Sequence, residues 1–295
     1  MKPTLALLGT GILGKAMGER LLDQGFPLRA WNRTPSKASS LESRGARIFA
    51  TPAEACREAW AALVVVADSP ALEETVFGPR GAARGLASGT LLLQSSTVSP
   101  QANREASKRL AAQGIRFLET PVLGSRGEAR TGTLVVMAGG EGGDMKEAGP
   151  ILGALAKKVV YTGPAGSASV LKLALNQMIA CFMGTLAQAL VLVESAGIPR
   201  EALVETLRES ALWAPMLEKK LASTLATGKF QDPNFPLRHL LKDLRLAEEL
   251  AEELKKELPL ASAARGLLEE ALKNGLGDLD YSALYLELQR NRKES

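Results

Sequence analysis

Through the first half of the chain, short apolar runs alternate with stretches in which apolar residues recur every three or four positions. TLALLG, PLRAWN, AALVVVAD, TLLLQSS, IRFLETPV, TLVVMAGG and KVVYTG read as strands, and the amphipathic segments between them read as helices. That alternation predicts an α/β fold with a doubly wound parallel sheet covered by helices on both faces. Beyond Gly166 the pattern changes to long helical periodicities punctuated by AGIPRE, TGKFQDPNFP, KELPL and NGLGDLD, with no further strand expected. The expected division is a sheet domain over 1–163 and an all-α domain over 164–295 whose first, connecting helix spans about 166–196.

That helix sets one lysine and one asparagine, Lys172 and Asn176, in the mostly apolar run ASVLKLALNQMIACFMG. Leu173 to Val193 holds no charge, and a membrane span needs about 20 such residues. Asn176, Gln177, Thr185 and Gln188 argue instead for a helix enclosed by protein on most sides, and no membrane partner is expected.

With 295 residues, 46% hydrophobic and 23% charged, the chain can bury a core without staples. Two cysteines, Cys56 and Cys181, and one histidine, His239, cannot build a disulfide framework or a Cys/His zinc site; no metal is expected, and sparing cysteine use fits the cytoplasm. A net charge of +4 arises from 36 basic and 32 acidic residues scattered along the chain, without a basic stripe, which disfavours nucleic acid and suits an anionic small molecule. MKPTLALLGTG runs straight into a strand, without the apolar core and cleavage site expected of a signal peptide.

After the first strand comes GTGILG, with Gly9, Gly11 and Gly14 at the G-x-G-x-x-G spacing and Thr10, Ile12 and Leu13 between them, followed by a helical stretch. The expected roles are a tight turn at Gly9, close approach of a pyrophosphate at Gly11, and helix-on-strand packing at Gly14, with the phosphates at the helix N-terminus. About 20 residues on, where an NAD site usually carries an acid, stands Asn32, followed by Arg33, Thr34, Ser36 and Lys37. Donors and positive charge without a carboxylate suit a 2′-phosphate, so NADP(H) is expected in preference to NAD(H), which stays the other candidate.

The glycine loop, WNRT, SSTVSP, ETPVLG with GTLVVMAGG, GPAG followed by LKLALN, and FPLRHLLKDLRLA together resemble the β-hydroxyacid dehydrogenase family over essentially the whole chain. Within it, NRT, the K-x-x-x-N helix and APM look most like the glyoxylate and succinic semialdehyde reductases, with 3-hydroxyisobutyrate dehydrogenases next. The resemblance implies a Rossmann-type domain, a long connecting helix, an all-helical domain and assembly into dimers or tetramers. It puts Lys172 at the catalytic lysine, Asn176 at the substrate-positioning asparagine, Thr97 near the nicotinamide, and Ala67, Asp68 and Ser69 on the loop lining the cofactor. Lys242 matches a second lysine reaching the cofactor. PVLGSRGEA lies on the substrate loop, where Leu123 stands in place of the usual serine and Gly124, Ser125 and backbone amides remain to hold an anion. Phe235 is a candidate to close over the substrate, and Asp243 is a candidate either to cap or to pair with a neighbouring lysine.

These residues imply reduction of a small carboxylated aldehyde or keto acid, of the glyoxylate, succinic semialdehyde or 3-hydroxyisobutyrate type, with Lys172 stabilising the developing alkoxide and supplying its proton. Asn176, one turn on, shares its helix face. An imine reductase-like enzyme and a non-catalytic NADP-binding oligomeric module are the alternatives. His239 reads as a surface or capping residue, Trp213 and Met216 as packing, Cys181 as a buried thiol, and EELAEELKKE as a solvated helix face.

Overall fold

The computed structural model describes residues 2–290, which divide into two compact units with the boundary between Lys172 and Leu173. The first is built on one mixed, mainly parallel sheet: β1 (Leu5–Leu8), β2 (Leu28–Trp31), β3 (Arg47–Ile48), β4 (Ala61–Val64), β5 (Leu91–Gln94), β6 (Arg116–Glu119), β7 (Val122–Leu123), β8 (Leu134–Gly140) and β9 (Ala156–Gly163). Its order is β3-β2-β1-β4-β5-β6-β8-β7, with β9 beside β8.

The central strands read as unbroken apolar runs because they are buried on both faces. Successive side chains point to opposite sides, and the core divides accordingly. Leu5 and Leu7, Ala61 and Leu63, and Leu91 and Leu93 pack into one cluster with Met17, Leu21 and Ile151; Ala6 and Leu8, Ala62 and Val64, and Leu92 pack into the other with Leu72, Val76 and Leu110. Each fully buried leucine contributes about 1.5–3 kcal/mol of transfer free energy, so both faces hold the sheet strongly.

The sequence pattern misses three details of the sheet, the first being the two-residue β3, which lies in none of the seven expected runs. The single run IRFLETPV splits into β6 and β7, because Pro121 brings no N–H to a ladder and serves only as an acceptor, from Met137 N–H at 2.9 Å. The far edge is not parallel: β8 runs antiparallel to β6 and β7, and β9 parallel to β8.

After β9 the described residues contain helices and no further strand. Helix Ser167–Ser195 begins in the first unit and continues into the second. In the second unit Ala180, Met183, Leu186, Ala187 and Leu190 from this helix join Leu237, Leu240, Leu241 and Leu244 of helix Leu237–Glu253, and Ala264 and Leu268 of helix Pro259–Lys273. The long helix is long and apolar enough to cross a membrane, yet this core face carries it as a structural helix of a packed unit. It departs from the expectation of enclosure on most sides. Only 33% of its most apolar window is buried, and Met178, Phe182 and Leu192 form an exposed row at helical spacing.

Candidate active site

The carboxyl ends of the parallel strands are level. Leu8 pairs in register with Trp31 and with Val64, Val64 with Gln94, and Gln94 with Glu119. Whatever follows these strands therefore emerges along one edge, and β1 beside β4 is the point where the chain order reverses and leaves a crevice. The glycine loop, Asn32–Lys37, Ala67–Ser69 and Thr97 all lie on that edge.

The three loop glycines have three different reasons. Gly9 turns at φ +100°, and a Cβ there would sit 2.1 Å from the Val65 carbonyl oxygen. A Cβ on Gly14 would sit 2.1 Å from the Gly9 carbonyl oxygen, so the helix Ile12–Asp23 can pack on the loop only through glycine. Gly11 is under no such demand: its φ of −67° suits any residue, and a Cβ would meet nothing within 4 Å. The fold leaves that space open at the start of a helix that has no side-chain cap and no acid in its first turn, which is the geometry an anionic pyrophosphate requires. The loop fits a dinucleotide.

Around it, Asn32 accepts from Thr10 N–H at 2.9 Å and donates to the Thr34 carbonyl at 2.9 Å, tying the end of β2 to the glycine loop. Arg33, Thr34, Ser36 and Lys37 are exposed beyond it. Asp68 caps helix Ser69–Phe77 by accepting from Ala71 N–H at 2.8 Å, while Ser69 Oγ accepts from Ser99 N–H at 3.4 Å. Ala67 is exposed and Thr97 half-buried.

On the expected substrate loop, Leu123 pairs with Val135 of β8 and Gly124 follows at φ +110°. Ser125 N–H and Oγ both donate to Glu128 Oε2, at 2.8 and 2.9 Å. The chain's own carboxylate thus holds donors expected to meet a substrate anion. Glu128 escaped the sequence reading although its signal, S-x-x-E ahead of a helix, is present in SRGE.

Lys172 and Asn176 lie one turn apart on the long helix, 9% and 1% exposed. In the second unit Asn176 Nδ2 donates to Asp243 Oδ2 at 2.6 Å, and Lys242 Nζ lies 2.8 Å from Asp243 Oδ1. A carboxylate only accepts, so this contact fixes which way the amide faces: Asn176 Oδ1 must point elsewhere, and it is buried without a hydrogen-bond partner. Leaving such an acceptor unmet costs about 1–3 kcal/mol, which a hydroxyl or ammonium donor would recover. Phe235 stacks edge-on with Tyr281 at 5.8 Å and lies 6.4 Å from His239.

A dinucleotide edge on a parallel sheet, joined through one helix to an all-helical unit, defines an NAD(P)-dependent oxidoreductase. Residues 4–163 match the NAD-binding domain of 6-phosphogluconate dehydrogenase, and 166–288 match the NAD-binding model of NADP-dependent 3-hydroxyisobutyrate dehydrogenase. The chain is 32% identical to glyoxylate/succinic semialdehyde reductase 1 of Arabidopsis thaliana, covering 98% of this chain and 99% of that one. Among solved structures, a 3-hydroxyisobutyrate dehydrogenase of Mycobacterium tuberculosis with L-serine is 26% identical with a TM-score of 0.87, covering 98% and 100% of the two chains. An imine reductase of Myxococcus stipitatus with NADP+, 24% identical over 97% of this chain and 100% of its own, shares the fold at a TM-score of 0.65. The protein belongs to the β-hydroxyacid dehydrogenase family, of the 3-hydroxyisobutyrate dehydrogenase-like kind, and is an NAD(P)-dependent hydroxyacid dehydrogenase or reductase.

The glycine geometry separates folding from binding. Gly11→Ala should leave the urea midpoint unchanged while weakening NADPH by about tenfold or more, the equivalent of about 1.5–3 kcal/mol for one hydrogen bond to a charged group. Gly9→Ala should instead cost about 3 kcal/mol or more of stability, read from the same urea titration.

Proposed function

We propose that this enzyme is an NADPH-dependent reductase interconverting a small carboxylated aldehyde or keto acid and its hydroxy acid, with residues 1–163 holding the cofactor and 164–295 completing the substrate site and the oligomer. The observation that carries the reading is Lys172, buried on an apolar helix one turn from an asparagine whose buried oxygen faces away from Asp243. The glycine loop, Ala67–Ser69, Thr97 and Lys242 would hold the cofactor, and the bound nicotinamide supplies the hydride. Lys172 hydrogen-bonds the carbonyl oxygen, stabilises the charge that develops on it and gives it a proton. Asn176 Oδ1 accepts from the lysine or from the product hydroxyl. In the oxidative direction the same lysine must begin neutral.

NADP(H) preference is supported by Arg33 and Lys37, exposed beside Asn32 with no acid at the end of β2. A cytoplasmic location fits two reduced cysteines, of which Cys56 is inert because burial pushes its thiol up to about 12. Assembly into dimers or tetramers is supported by the exposed row of Met178, Phe182 and Leu192, an apolar face suited to a second copy of this chain. One observation favours a second reading: with Leu123 apolar and Ser125 engaged by Glu128, the loop suits a neutral aldehyde or imine at that position.

Initial rates of NADPH oxidation on glyoxylate, succinic semialdehyde, methylmalonate semialdehyde, tartronate semialdehyde and a cyclic imine separate these readings; turnover on the imine alone would overturn the first. Lys172→Ala should lower kcat by about 10²–10⁴-fold with NADPH affinity kept, and near-normal kcat would refute the lysine's role. Arg33→Ala should weaken NADPH by about tenfold and leave NADH unchanged, read by fluorescence titration. Phe182→Glu should convert the oligomer to monomer in light scattering; an unchanged mass would remove the helix row from the interface.

A further inference from the structure

We propose that Glu119 is a positioning residue for the reaction: its carboxylate clamps the first turn of the helix bearing Lys172 and so sets where that ammonium is delivered. The inference rests on Lys172 being the proton donor.

Glu119 closes β6 and is 0% exposed. Its Oε1 accepts from Ala168 N–H at 2.7 Å, and its Oε2 from Ser169 Oγ at 2.9 Å and Asn103 Nδ2 at 2.7 Å. Gly166 N–H adds a fourth donor. Three of the four belong to the start of the long helix, whose opening N–H groups have no intrahelical partner. The local candidate for a cap is engaged elsewhere, since Ser167 Oγ lies 2.7 Å from Thr162 Oγ1. The cap is therefore supplied from the sheet, and a negative charge there also suits the helix dipole.

The clamp is braced from behind. Asn103 Nδ2 also reaches Ser169 Oγ at 2.7 Å, and Asn103 Oδ1 accepts from Gln94 Nε2 at 2.7 Å. Gln94 closes β5 and lies in register with Glu119, so two adjacent strand ends and the helix Pro100–Ala111 are tied to the same turn. On β8, a Cβ at Gly139 would lie 2.3 Å from Glu119 Oε1, so the space for the carboxylate is made by a glycine. Burial pushes the Glu119 carboxyl above its ordinary range while the four donors pull the other way. Four donors and no acceptor require a carboxylate; an amide would turn an NH₂ toward one pair of them.

Lys172 lies four residues past Ala168, about 6 Å further along the axis, so play in the first turn is transmitted directly to its side chain. Misplacement of a reacting group by about 1 Å can cost about 10²-fold in rate.

The test is a double-mutant cycle on the full chain, read as kcat, KM and NADPH affinity. Glu119→Gln should lower kcat about tenfold, with KM and NADPH affinity within about twofold, and should cost nothing further in the Lys172→Ala background. Equal losses in both backgrounds, or loss of NADPH affinity in step with kcat, would make Glu119 merely structural and overturn the proposal. Unchanged kcat in Glu119→Gln would also overturn it while leaving Lys172's role intact; unchanged kcat in Lys172→Ala would instead remove the reading beneath it. Where Glu119→Gln does not fold, Ser169→Ala, which removes one donor from the clamp, goes through the same cycle with an expected loss of about threefold in the wild-type background only.

Discussion

Everything at the cofactor edge depends on how closely β1 and β4 approach just beyond their ends. Gly9 passes so near the Val65 carbonyl that no side chain fits, and Gly14 then lies against Gly9 with equally little room. Those two contacts bring the helix Ile12–Asp23 down onto the switch point with its N-terminus facing the crevice. Once the helix is so placed, Gly11 becomes the one position in the loop where open space is kept by the sequence rather than by packing. A single pattern of three glycines thus contains two statements about folding and one about binding.

The long helix obeys a complementary rule. Its buried face holds polar groups that would each be costly alone, and two of them have clear partners: Ser169 in Glu119 and Asn103, and the Asn176 amide nitrogen in Asp243. The exception is Asn176 Oδ1, an acceptor held in place with nothing to accept. In a packed interior such a residue is a position awaiting a donor, because the same amide could otherwise be replaced by an apolar side chain at little cost. The apolar residues, by contrast, extend to the outer face, where Met178, Phe182 and Leu192 are solvated. The helix thus buries an apolar core face together with a few polar groups and still exposes large apolar side chains, a face suited to contact with another surface.

How much of this was legible depended on sequence distance. The central strands, the glycine loop and the Lys172–Asn176 pair are local patterns with a fixed period, and they read directly. Two-residue β3 and β7 carry no periodic signal, and the antiparallel course of β8 follows from long-range pairing that apolar runs do not encode. The long helix was legible as a helix but not in its exposure, since composition alone does not tell which face of an apolar helix the rest of the chain covers. Glu128 was readable from SRGE. Glu119 was not: its helix partner Ala168 lies 49 residues away, and nothing in FLETP distinguishes a buried clamp from a solvated strand end.

That contrast bears on substrate choice. The groups that build the cofactor edge are fixed by backbone contacts with no tolerance for added atoms, those at Gly9 and Gly14. The loop from Leu123 to Glu128, proposed to meet the substrate, is different in kind: Leu123 lies in a short ladder against Val135, and the Ser125 donors are held by a glutamate one helical turn away. A capping box contributes about 1 kcal/mol, little enough that an incoming carboxylate of suitable shape could compete for the same N–H and hydroxyl. On the proposed reading, substrate range would follow how readily Glu128 yields Ser125, while delivery of Lys172 would rest on the more tightly packed elements around the start of its helix.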